Sequence, residues 1–521
     1  MADTQREIER KFEFTGDRGK ARADGKRPRA KDDARRRVPD LTGTAGITAV
    51  RDRGTARLDA VYYDTPDRAL AADGLTLRRR TGGEDAGWHL KIPVAPGVRD
   101  EVRAPLSDTL PPDLAALVRS RTRRSRLEPQ VRLRAERHTR DLLDADGHLL
   151  AQLCTDSVRA ERGRAATAWT EVEVELADDG APALLDAVQE RFAAAGLHPS
   201  DAPSKLARAL DLTGAAPPPA RPAPGPADGT AGAHVLAYLR EQRDALVAQD
   251  PAVRRDLPDS VHRMRVATRR LRSALATHRK LLDRTATDPL REELRWLAAE
   301  LGADRDREVL LERLRTHLAE LPPALRPGPV RDRLRAWNTT RRARTRPRAV
   351  AALDDERYLR LLDSLDALLD APPLRRAAAR PAAKPLRKAA LRDWDRLADR
   401  VAAALDLDPG EERDRALHEA RKAAKRARYA AEAAAPALGK PARRLAKAAK
   451  KVQTLLGEHR DGVVAREALL GLGSQAADAG ESAFAWGLLH GREEARSARL
   501  EHRLPAVWAK AASRRSRAAS K

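Results

Sequence analysis

The stretch Glu7-Ile8-Glu9-Arg10-Lys11 sets two carboxylates and an amine at alternate positions near the start of the chain. Successive side chains of a β-strand point to opposite faces, so Glu7, Glu9 and Lys11 would share one face. Burying such a row is costly unless partner charges or a metal ion compensate it. A solvated amphipathic terminus is the plainer interpretation of these five residues alone, so the rest of the chain must decide.

The overall charge of the chain indicates a polyanionic partner. Among 521 residues, 101 are Lys or Arg and 77 are Asp or Glu, which gives a formal net charge of +24. Such a charge attracts nucleic acid, anionic membranes or polyphosphate, and it does not indicate which of these is the partner. The single cysteine, Cys154, excludes an internal disulfide bond. The sequence has no signal peptide and no apolar run of about 18 residues, so we expect a cytoplasmic protein.

Short segments of alternating hydrophobicity, separated by turn signals, fill the chain as far as residue 176. This pattern predicts an antiparallel sheet or barrel. The polar and basic stretch 16–37 has no apolar period and predicts a disordered loop. Segments 111–119 and 181–195 are typical of helices. The predicted strands cover 5–14, 56–64, 76–80, 88–92, 100–104, 131–139, 149–154 and 168–176.

Charged side chains share faces along these strands and separate into two classes. Glutamates alternate in EVEVEL at 171–176, whereas basic side chains alternate in LRRR at 77–80, HLK at 89–91 and VRLR at 131–134. Each run alone is typical of a wet outer face. Together they place acidic strands at both ends of the region and basic strands between, as expected of acids that collect a divalent cation facing bases that collect phosphate oxygens.

These segments resemble the CYTH domain, also called the triphosphate tunnel metalloenzyme family. Besides Glu7-x-Glu9-x-Lys11 and EVEVEL, the resemblance rests on four further segments in matching order over about residues 1–213. It implies an eight-stranded antiparallel barrel whose charged tunnel holds a triphosphate. The four segments are YYDT at 62–65, LRRR at 77–80, WHLKIP at 88–93 and SKLARAL at 204–210.

The resemblance implies roles for individual residues. The metal, Mg²⁺ or Mn²⁺, would be bound by Glu7, Glu9, Asp156, Glu171, Glu173 and Glu175. Phosphate oxygens would be bound by Lys11, Arg78, Arg80, Lys91, Arg132, Arg134 and Lys205. The catalytic set is Glu7, Glu9, Lys11, Glu171 and Glu173.

The chemistry of these residue types fits the implied roles. Oxygen ligands suit a divalent cation that neutralises developing charge and orients water, and guanidinium forks match phosphate. Arg99 and Glu101 match an R-x-E step that follows the basic strands. No general base can be assigned, and a metal-bound water between Glu171 and Glu173 is one hypothesis.

The second half of the chain differs in composition and contains an internal repeat. Residues 214–231 form a Pro, Ala and Gly linker, and Ala, Leu and Arg-rich helical periods follow it, with breaks expected near Pro251, Pro322, 372–385 and 409–410. HRMRVATRRLR, beginning at His262, recurs as HEARKAAKRAR 156 residues later. LGADRDREVL, beginning at Leu301, recurs as LGEHRDGVVA 155 residues later. Two motifs with almost the same offset indicate duplicated helical subdomains.

In each copy a histidine and three bases fall on one side of a helix, at i, i+3, i+7 and i+10. A solvated basic face is the alternative for either helix alone. The repeats resemble the CHAD domain, which implies two four-helix bundles around a basic cleft that binds polyphosphate. The domain would cover about 232–510, with repeats at about 232–385 and 386–510 and a basic tail at 511–521. The expected polyphosphate-binding residues are His262, Arg265, Arg269, Arg272, His418, Arg421, Lys422, Lys425 and Arg428.

The sequence therefore predicts an α+β multidomain protein in which both halves act on condensed phosphate. The leading interpretation is a metal-dependent inorganic triphosphatase with a helical domain that captures long-chain polyphosphate. We expect this enzyme in the cytoplasm, in association with polyphosphate granules. The alternatives are a non-catalytic polyphosphate-binding or targeting protein, and a nucleotide-acting enzyme of the adenylate cyclase or thiamine triphosphatase type. Aromatics make up 3% of residues, which disfavours base stacking, and no nucleic-acid-binding motif or membrane partner is expected. The sequence leaves the oligomeric state open.

Overall fold

The computed structural model describes the backbone of residues 3–14, 38–215 and 227–519, with side chains to residue 513. The chain divides into two compact units, Met1–Arg221 and Pro222–Lys521. The predicted loop at 16–37 lies outside the described residues. The same is true of most of the predicted linker and of the end of the predicted tail.

The first unit is an antiparallel β-barrel. Its strands follow one another around the ring in the order β5-β4-β3-β2-β6-β7-β8-β1, and β1 pairs again with β5 to close it. The short strand β9 pairs with the end of β1. The fold class predicted from the sequence is confirmed. The strands are β1 (Asp3–Phe14), β2 (Ala49–Asp64), β3 (Thr76–Thr81), β4 (Gly87–Ala95), β5 (Val98–Pro105), β6 (Glu128–Leu143), β7 (Leu149–Arg162), β8 (Ala165–Leu176) and β9 (Leu197–Pro199).

Four helices of this unit bury the apolar faces of the strands. They are α1 (Ala69–Ala72), α2 (Pro112–Thr122), α3 (Ala183–Ala194) and α4 (Lys205–Leu212). Helix α3 packs outside β1, β7 and β8, and α2 packs outside β3, β4 and β5. Helix α4 instead packs against Tyr62, Leu133 and Trp169, on strand faces that continue into the charged cavity described below.

The second unit is helical throughout its described residues. Its helices are α5 (Ala231–Arg254), α6 (Ser260–Thr277), α7 (Arg284–Glu300), α8 (Gly302–Ala319), α9 (Val330–Asp354), α10 (Glu356–Asp370), α11 (Ala383–Leu405), α12 (Glu411–Leu438), α13 (Lys440–Asp478) and α14 (Phe484–Ala519). The break expected near Pro251 comes one turn later, because Pro251 lies inside α5, which ends at Arg254. Pro251 has no N–H and therefore removes one hydrogen bond from the last turns of this helix.

The internal repeat corresponds to two separate apolar cores. One core joins α5, α6, α7 and α10, and the other joins α11, α12, α13 and the end of α14. Helix α13 corresponds to α7 and α8 joined end to end, because Leu456 in the middle of α13 matches Leu301 between the two shorter helices. No helix among the described residues is both long and apolar enough to cross a membrane.

The outer packing of the barrel on α3 supplies a test of the fold. The rings of Phe12 and Phe192 meet edge to face with centroids 4.7 Å apart, and both side chains are fully buried. We expect Phe12→Ala to cost about 3 to 5 kcal/mol and to lower the thermal midpoint of the barrel by about 10 °C. Differential scanning calorimetry of the full chain measures this. Phe484→Ala is the control, since Phe484 is 53% exposed, and an equal loss in both variants would contradict the assignment of this core.

Candidate functional site

The barrel contains a cavity with charged walls, and about 540 Å³ of space not occupied by atoms lies in it and at its opening to solvent. Its lining residues come from seven of the eight ring strands, from the turn between β3 and β4, and from the start of α4. Among the described residues, eight cationic and six acidic side chains line it, and Tyr62 is the aromatic one. The lining residues are Glu7, Glu9, Lys11, Tyr62, Thr76, Arg78, Arg80, Asp85, Lys91, Arg99, Glu101, Arg103, Arg137, Glu173, Glu175, Ser204 and Lys205.

The alternating residues of β1 face the cavity, as the sequence pattern predicts. Lys91 Nζ lies 2.5 Å from Glu7 Oε2, and Lys11 Nζ lies 3.3 Å from Glu9 Oε1 and 2.8 Å from Glu173 Oε1. Glu7 and Glu9 are almost fully buried. The solvated-terminus interpretation of this stretch is therefore wrong, because each acid has a cationic partner inside the barrel.

Glu101 on β5 connects several of the cations on neighbouring strands. It is fully buried, and its carboxylate contacts His89 Nδ1 at 3.1 Å, Arg78 at 3.4 Å and Arg103 Nε at 2.5 Å. Arg80 contacts Asp85 at the cavity wall. Burial, with Arg78 and Arg137 nearby, lowers the pKa of Arg80 to about 9. Arg80 therefore lies where an added anion would be stabilising.

Lys205 and Arg137 neutralise a second group of carboxylates. Ser204 caps α4 by accepting a hydrogen bond from the Ala207 N–H, which places Lys205 at the helix start, facing the cavity. Lys205 Nζ lies 3.0 Å from Asp156, 2.7 Å from Glu171 and 2.5 Å from Glu173. Arg137 donates to both Asp156 oxygens, at 2.8 and 2.7 Å, and to Glu173 at 2.9 Å.

These pairings separate the roles of the acidic residues. Although burial opposes ionisation, Lys11, Lys205 and Arg137 hold the pKa of Glu173 well below its usual value. Such a carboxylate is a weak base and is not suited to take a proton from an attacking water, while the hypothesis of a metal-bound water between Glu171 and Glu173 stays a prediction. Asp156 and Glu171 are buried and do not line the cavity. Their contacts position Arg137 and Lys205.

Two groups of carboxylates in the barrel are candidates to hold a metal ion, and one of them includes Glu175. Burial, with the carboxylates of Glu7 and Glu9 nearby, raises the pKa of Glu175 to about 7. A divalent cation beside these three carboxylates and Glu173 would relieve the repulsion and receive only oxygen ligands, as Mg²⁺ and Mn²⁺ prefer. Oxygens of Asp156, Glu171 and Glu173 also lie within 4.8 Å of one another, but Lys205 contacts all three carboxylates. The acidic residues of the barrel therefore fit a divalent cation.

Arg132 and Arg134 were expected in the tunnel, and the structure places them elsewhere. Both are about half exposed, and both contact Asp59 on β2. Residues 131 and 133 of β6 take the inner face instead, because their apolar side chains pack with α4. Further along the same inner face of β6, Arg137 enters the cavity.

Sequence reasoning missed Arg137, Arg103 and the buried His89–Glu101 contact as parts of the site. The signal for Arg137 was its even-numbered spacing from Val131 and Leu133, which places the three residues on one strand face. Arg103 follows the R-x-E step, Arg99-x-Glu101, at the next alternate position.

In the helical unit, matched contacts fix the basic residues of the two repeats. Arg265 on α6 donates to the Gly302 carbonyl at 3.0 Å and to Asp306 at 2.9 Å. A Cβ added at Gly302 would lie 3.3 Å from Arg265 Nη2, and one added at Gly457 would lie 3.6 Å from Arg421 Nε. The glycine of each LG motif thus lets a guanidinium pack against the next helix.

Cations from both repeats meet beside the contact of α6 with α12. Burial, with Arg421 and Arg269 nearby, lowers the pKa of Lys425 to about 7. Arg269 Nε and Arg421 Nε are buried without a hydrogen-bond partner among the described residues. Burial also lowers the pKa of His418 to about 4, and it lowers that of His262. We call Arg265, Arg269, Arg421 and Lys425 the cleft cations; Asp306 and Asp461 lie beside them and compensate only part of their charge.

Other predicted residues of this face point elsewhere. Arg272 lies near Arg291 and Arg295 of α7, which with burial lower its pKa. Arg428 contacts Glu432 at 2.6 Å and lies over the Tyr429 ring. Lys422 is exposed and contacts Glu419 at 2.6 Å. These three residues are therefore not brought together with the cleft cations.

Comparison with known proteins gives a consistent result along the chain. A family model of the CYTH domain matches residues 47–210, and one of the CHAD domain matches residues 237–470. The uncharacterized protein Rv2226 of Mycobacterium tuberculosis is 38% identical over 490 residues, which cover 91% of this chain and 93% of that protein.

Two solved structures resemble the chain in part. PptA from Streptomyces chartreusis is 27% identical with a TM-score of 0.45, covering 54% of this chain and 99% of that one. The CHAD domain from the plant Ricinus communis is 29% identical with a TM-score of 0.44, covering 56% of this chain and 94% of that one. Because both domain models match in this order and the mycobacterial protein is similar over nearly its whole length, the chain belongs to the family of proteins that join a CYTH domain to a CHAD domain.

Proposed function

We propose that the barrel hydrolyses inorganic triphosphate and short polyphosphate with a bound divalent cation, and that the helical unit binds long-chain polyphosphate. CYTH domains are metal-dependent enzymes that act on triphosphates. The observation that carries the proposal is the cavity itself, whose acidic and cationic side chains line one space inside a closed ring of strands.

The cavity residues divide into a metal-holding and a phosphate-holding group. Glu7, Glu9, Glu173 and Glu175 would hold Mg²⁺ or Mn²⁺, which when bound neutralises charge on the phosphate oxygens. Lys11, Arg78, Arg80, Lys91, Arg137 and Lys205 would bind those oxygens, and the arginine forks would orient the chain.

Hydrolysis requires water to add to phosphorus while one P–O–P bond breaks and releases orthophosphate or pyrophosphate. The water must lose a proton to an acceptor as it attacks. None of the lining carboxylates is assigned as this acceptor, because a divalent cation bound beside Glu175 would lower the pKa of that carboxyl, which is about 7 without the cation.

The lining favours an inorganic chain over a nucleotide. A nucleoside needs an apolar or aromatic surface for its base, and Tyr62 is the aromatic residue of the described lining. Its hydroxyl accepts a hydrogen bond from Arg78 at 3.3 Å. A nucleotide-acting enzyme and a non-catalytic binding protein are the other outcomes of the assay below.

The assay compares orthophosphate release from tripolyphosphate, ATP and long-chain polyphosphate with Mg²⁺, with Mn²⁺ and with a chelator. We expect metal-dependent hydrolysis of tripolyphosphate, and Arg137→Gln should lower kcat/KM about a hundredfold because one phosphate fork is lost. Arg137→Lys should retain part of the activity because it keeps the charge. Arg132→Gln, on the other face of the same strand, should leave kcat/KM unchanged. Equal losses at 132 and 137, or no turnover of tripolyphosphate, would refute the catalytic proposal.

Neighbouring residues of α12 test polyphosphate binding by the helical unit. Arg421 belongs to the cleft cations, whereas Lys422 is exposed and paired with Glu419. We expect Arg421→Gln to weaken binding of long-chain polyphosphate at least about tenfold, and Lys422→Gln to leave it nearly unchanged. Titration of full-length protein at several salt concentrations measures both effects. Equal affinities for the two variants would mean that long chains bind outside this cleft.

The pKa of Lys425 gives a second, independent readout of the same cleft. In the free protein this pKa is about 7, and a bound polyanion favours the charged amine, so it raises the pKa. Binding above pH 7 should therefore take up a proton, and affinity should fall as pH rises through that window. Calorimetry in two buffers of different ionisation enthalpy detects the uptake, which Lys425→Met should reduce. Unchanged proton uptake in the variant would exclude Lys425 from the site.

A further inference from the structure

A long groove follows the contact between α13 and α14 in the second repeat. It encloses about 1170 Å³ of space not occupied by atoms. Leu455, Leu500 and Val507 lie along its floor. The groove follows α13 from residue 447 to 458, which corresponds to about 16 Å or three helical turns.

Exposed cations border this floor on both sides. None of them makes an ion pair with a residue in the described part of the chain, and Glu458 is the acid among the described lining residues. The bordering cations, here called the groove cations, are Lys447, Lys450 and Lys451 of α13 with Arg503 and Lys510 of α14.

The corresponding contact in the first repeat is closed by ion pairs. There Glu300 of α7 contacts Arg348 of α9 at 2.6 Å, and Glu293 contacts Arg357 at 2.6 Å. The guanidinium of Arg357 also lies over the Trp296 ring, 4.5 Å from its centroid. Two carboxylates and an aromatic ring therefore bridge the helices in that repeat.

At the 155-residue offset, the second repeat lacks these bridges. Ala448 replaces Glu293, Lys451 replaces Trp296 and Leu455 replaces Glu300, while Arg503 keeps the charge of Arg348. The carboxylates have been lost while the cationic character remains, and apolar side chains form the floor. A ligand that completes this contact must bring both apolar groups and negative charge.

We propose that the groove binds an acidic amphipathic helix of a partner protein. A helix of about three turns matches the groove in length, with apolar side chains on the floor and carboxylates opposite the groove cations. The chain's own segment 15–37 has ten Lys or Arg against four Asp, so its charge has the wrong sign. Polyphosphate would match the groove cations but would bring no apolar group to the floor, where Val507 is only partly buried.

The probe for this proposal is a fluorescein-labelled peptide with the sequence of residues 356–370. In the protein this segment forms α10, whose buried face includes Leu362 and Leu365 and which carries four carboxylates. Fluorescence anisotropy with the full chain should show saturable binding. A matched peptide in which Glu356, Asp363, Asp366 and Asp370 are replaced by amides should bind at least about tenfold more weakly. No saturable binding, or equal binding of the two peptides, overturns the proposal.

Variants of the full chain locate the binding. Lys451→Glu with Arg503→Glu should weaken peptide binding at least about tenfold, since both residues are exposed groove cations. Val507→Glu should do the same by placing a carboxylate on the partly exposed floor. Arg444→Glu, on an exposed part of α13 outside the groove, is the control. Equal effects of the groove and control variants would overturn the proposal.

The oligomeric state distinguishes a partner from a second copy of the chain. Light scattering after gel filtration should give the same mass for the unaltered chain and for the doubly charge-reversed variant. A dimer that dissociates in that variant would make the groove an interface between copies and overturn the proposal. Vesicles containing an anionic phospholipid serve as a further probe, and groove-dependent vesicle binding without peptide binding would likewise overturn it.

Discussion

The burial of paired charge inside the barrel is the constraint on which the first unit depends. A carboxylate or ammonium removed from water loses several kcal/mol of hydration unless charge of opposite sign replaces it. Lys205 meets this requirement by contacting three carboxylates at 2.5 to 3.0 Å. Because the inner strand faces carry these charges, most of the apolar faces point outward and require α2 and α3 as cover.

The same constraint explains which parts of the site could be predicted from the sequence. Along β1 and β8, charged residues occupy alternate positions, so period two alone places Glu7, Glu9 and Glu173 on the inner face. Along β6 the pattern is ambiguous, because the inner face is apolar at Val131 and Leu133, where α4 packs, and charged at Arg137. Which alternate residues of β6 face inward depends on α4, a helix that is distant in sequence. The local pattern of β6 alone therefore could not predict it.

The helical unit presents a related limit. The repeat was visible because two motifs recur at nearly one offset, and the structure places Arg265 and Arg421 in matched contacts with Gly302 and Gly457. The last base of each motif was misjudged, since a residue ten positions along a helix is turned about 80° from the first. Arg272 accordingly lies near cations of α7. Helical spacing gives the face of a residue but not the neighbour that this face meets.

The barrel and the helical unit differ in how their cations are neutralised. This difference determines whether an anionic ligand needs a metal ion in order to bind. In the barrel Lys91 already contacts Glu7 and Lys11 contacts Glu9. A phosphate chain alone would have to compete with these carboxylates for the amines. A divalent cation that binds Glu7 and Glu9 would release both amines for phosphate oxygens, so metal and triphosphate binding would support each other under the proposed function. Among the described residues, the buried Nε atoms of Arg269 and Arg421 have no hydrogen-bond partner, and under the proposed function a polyanion would bind these cleft cations without a metal.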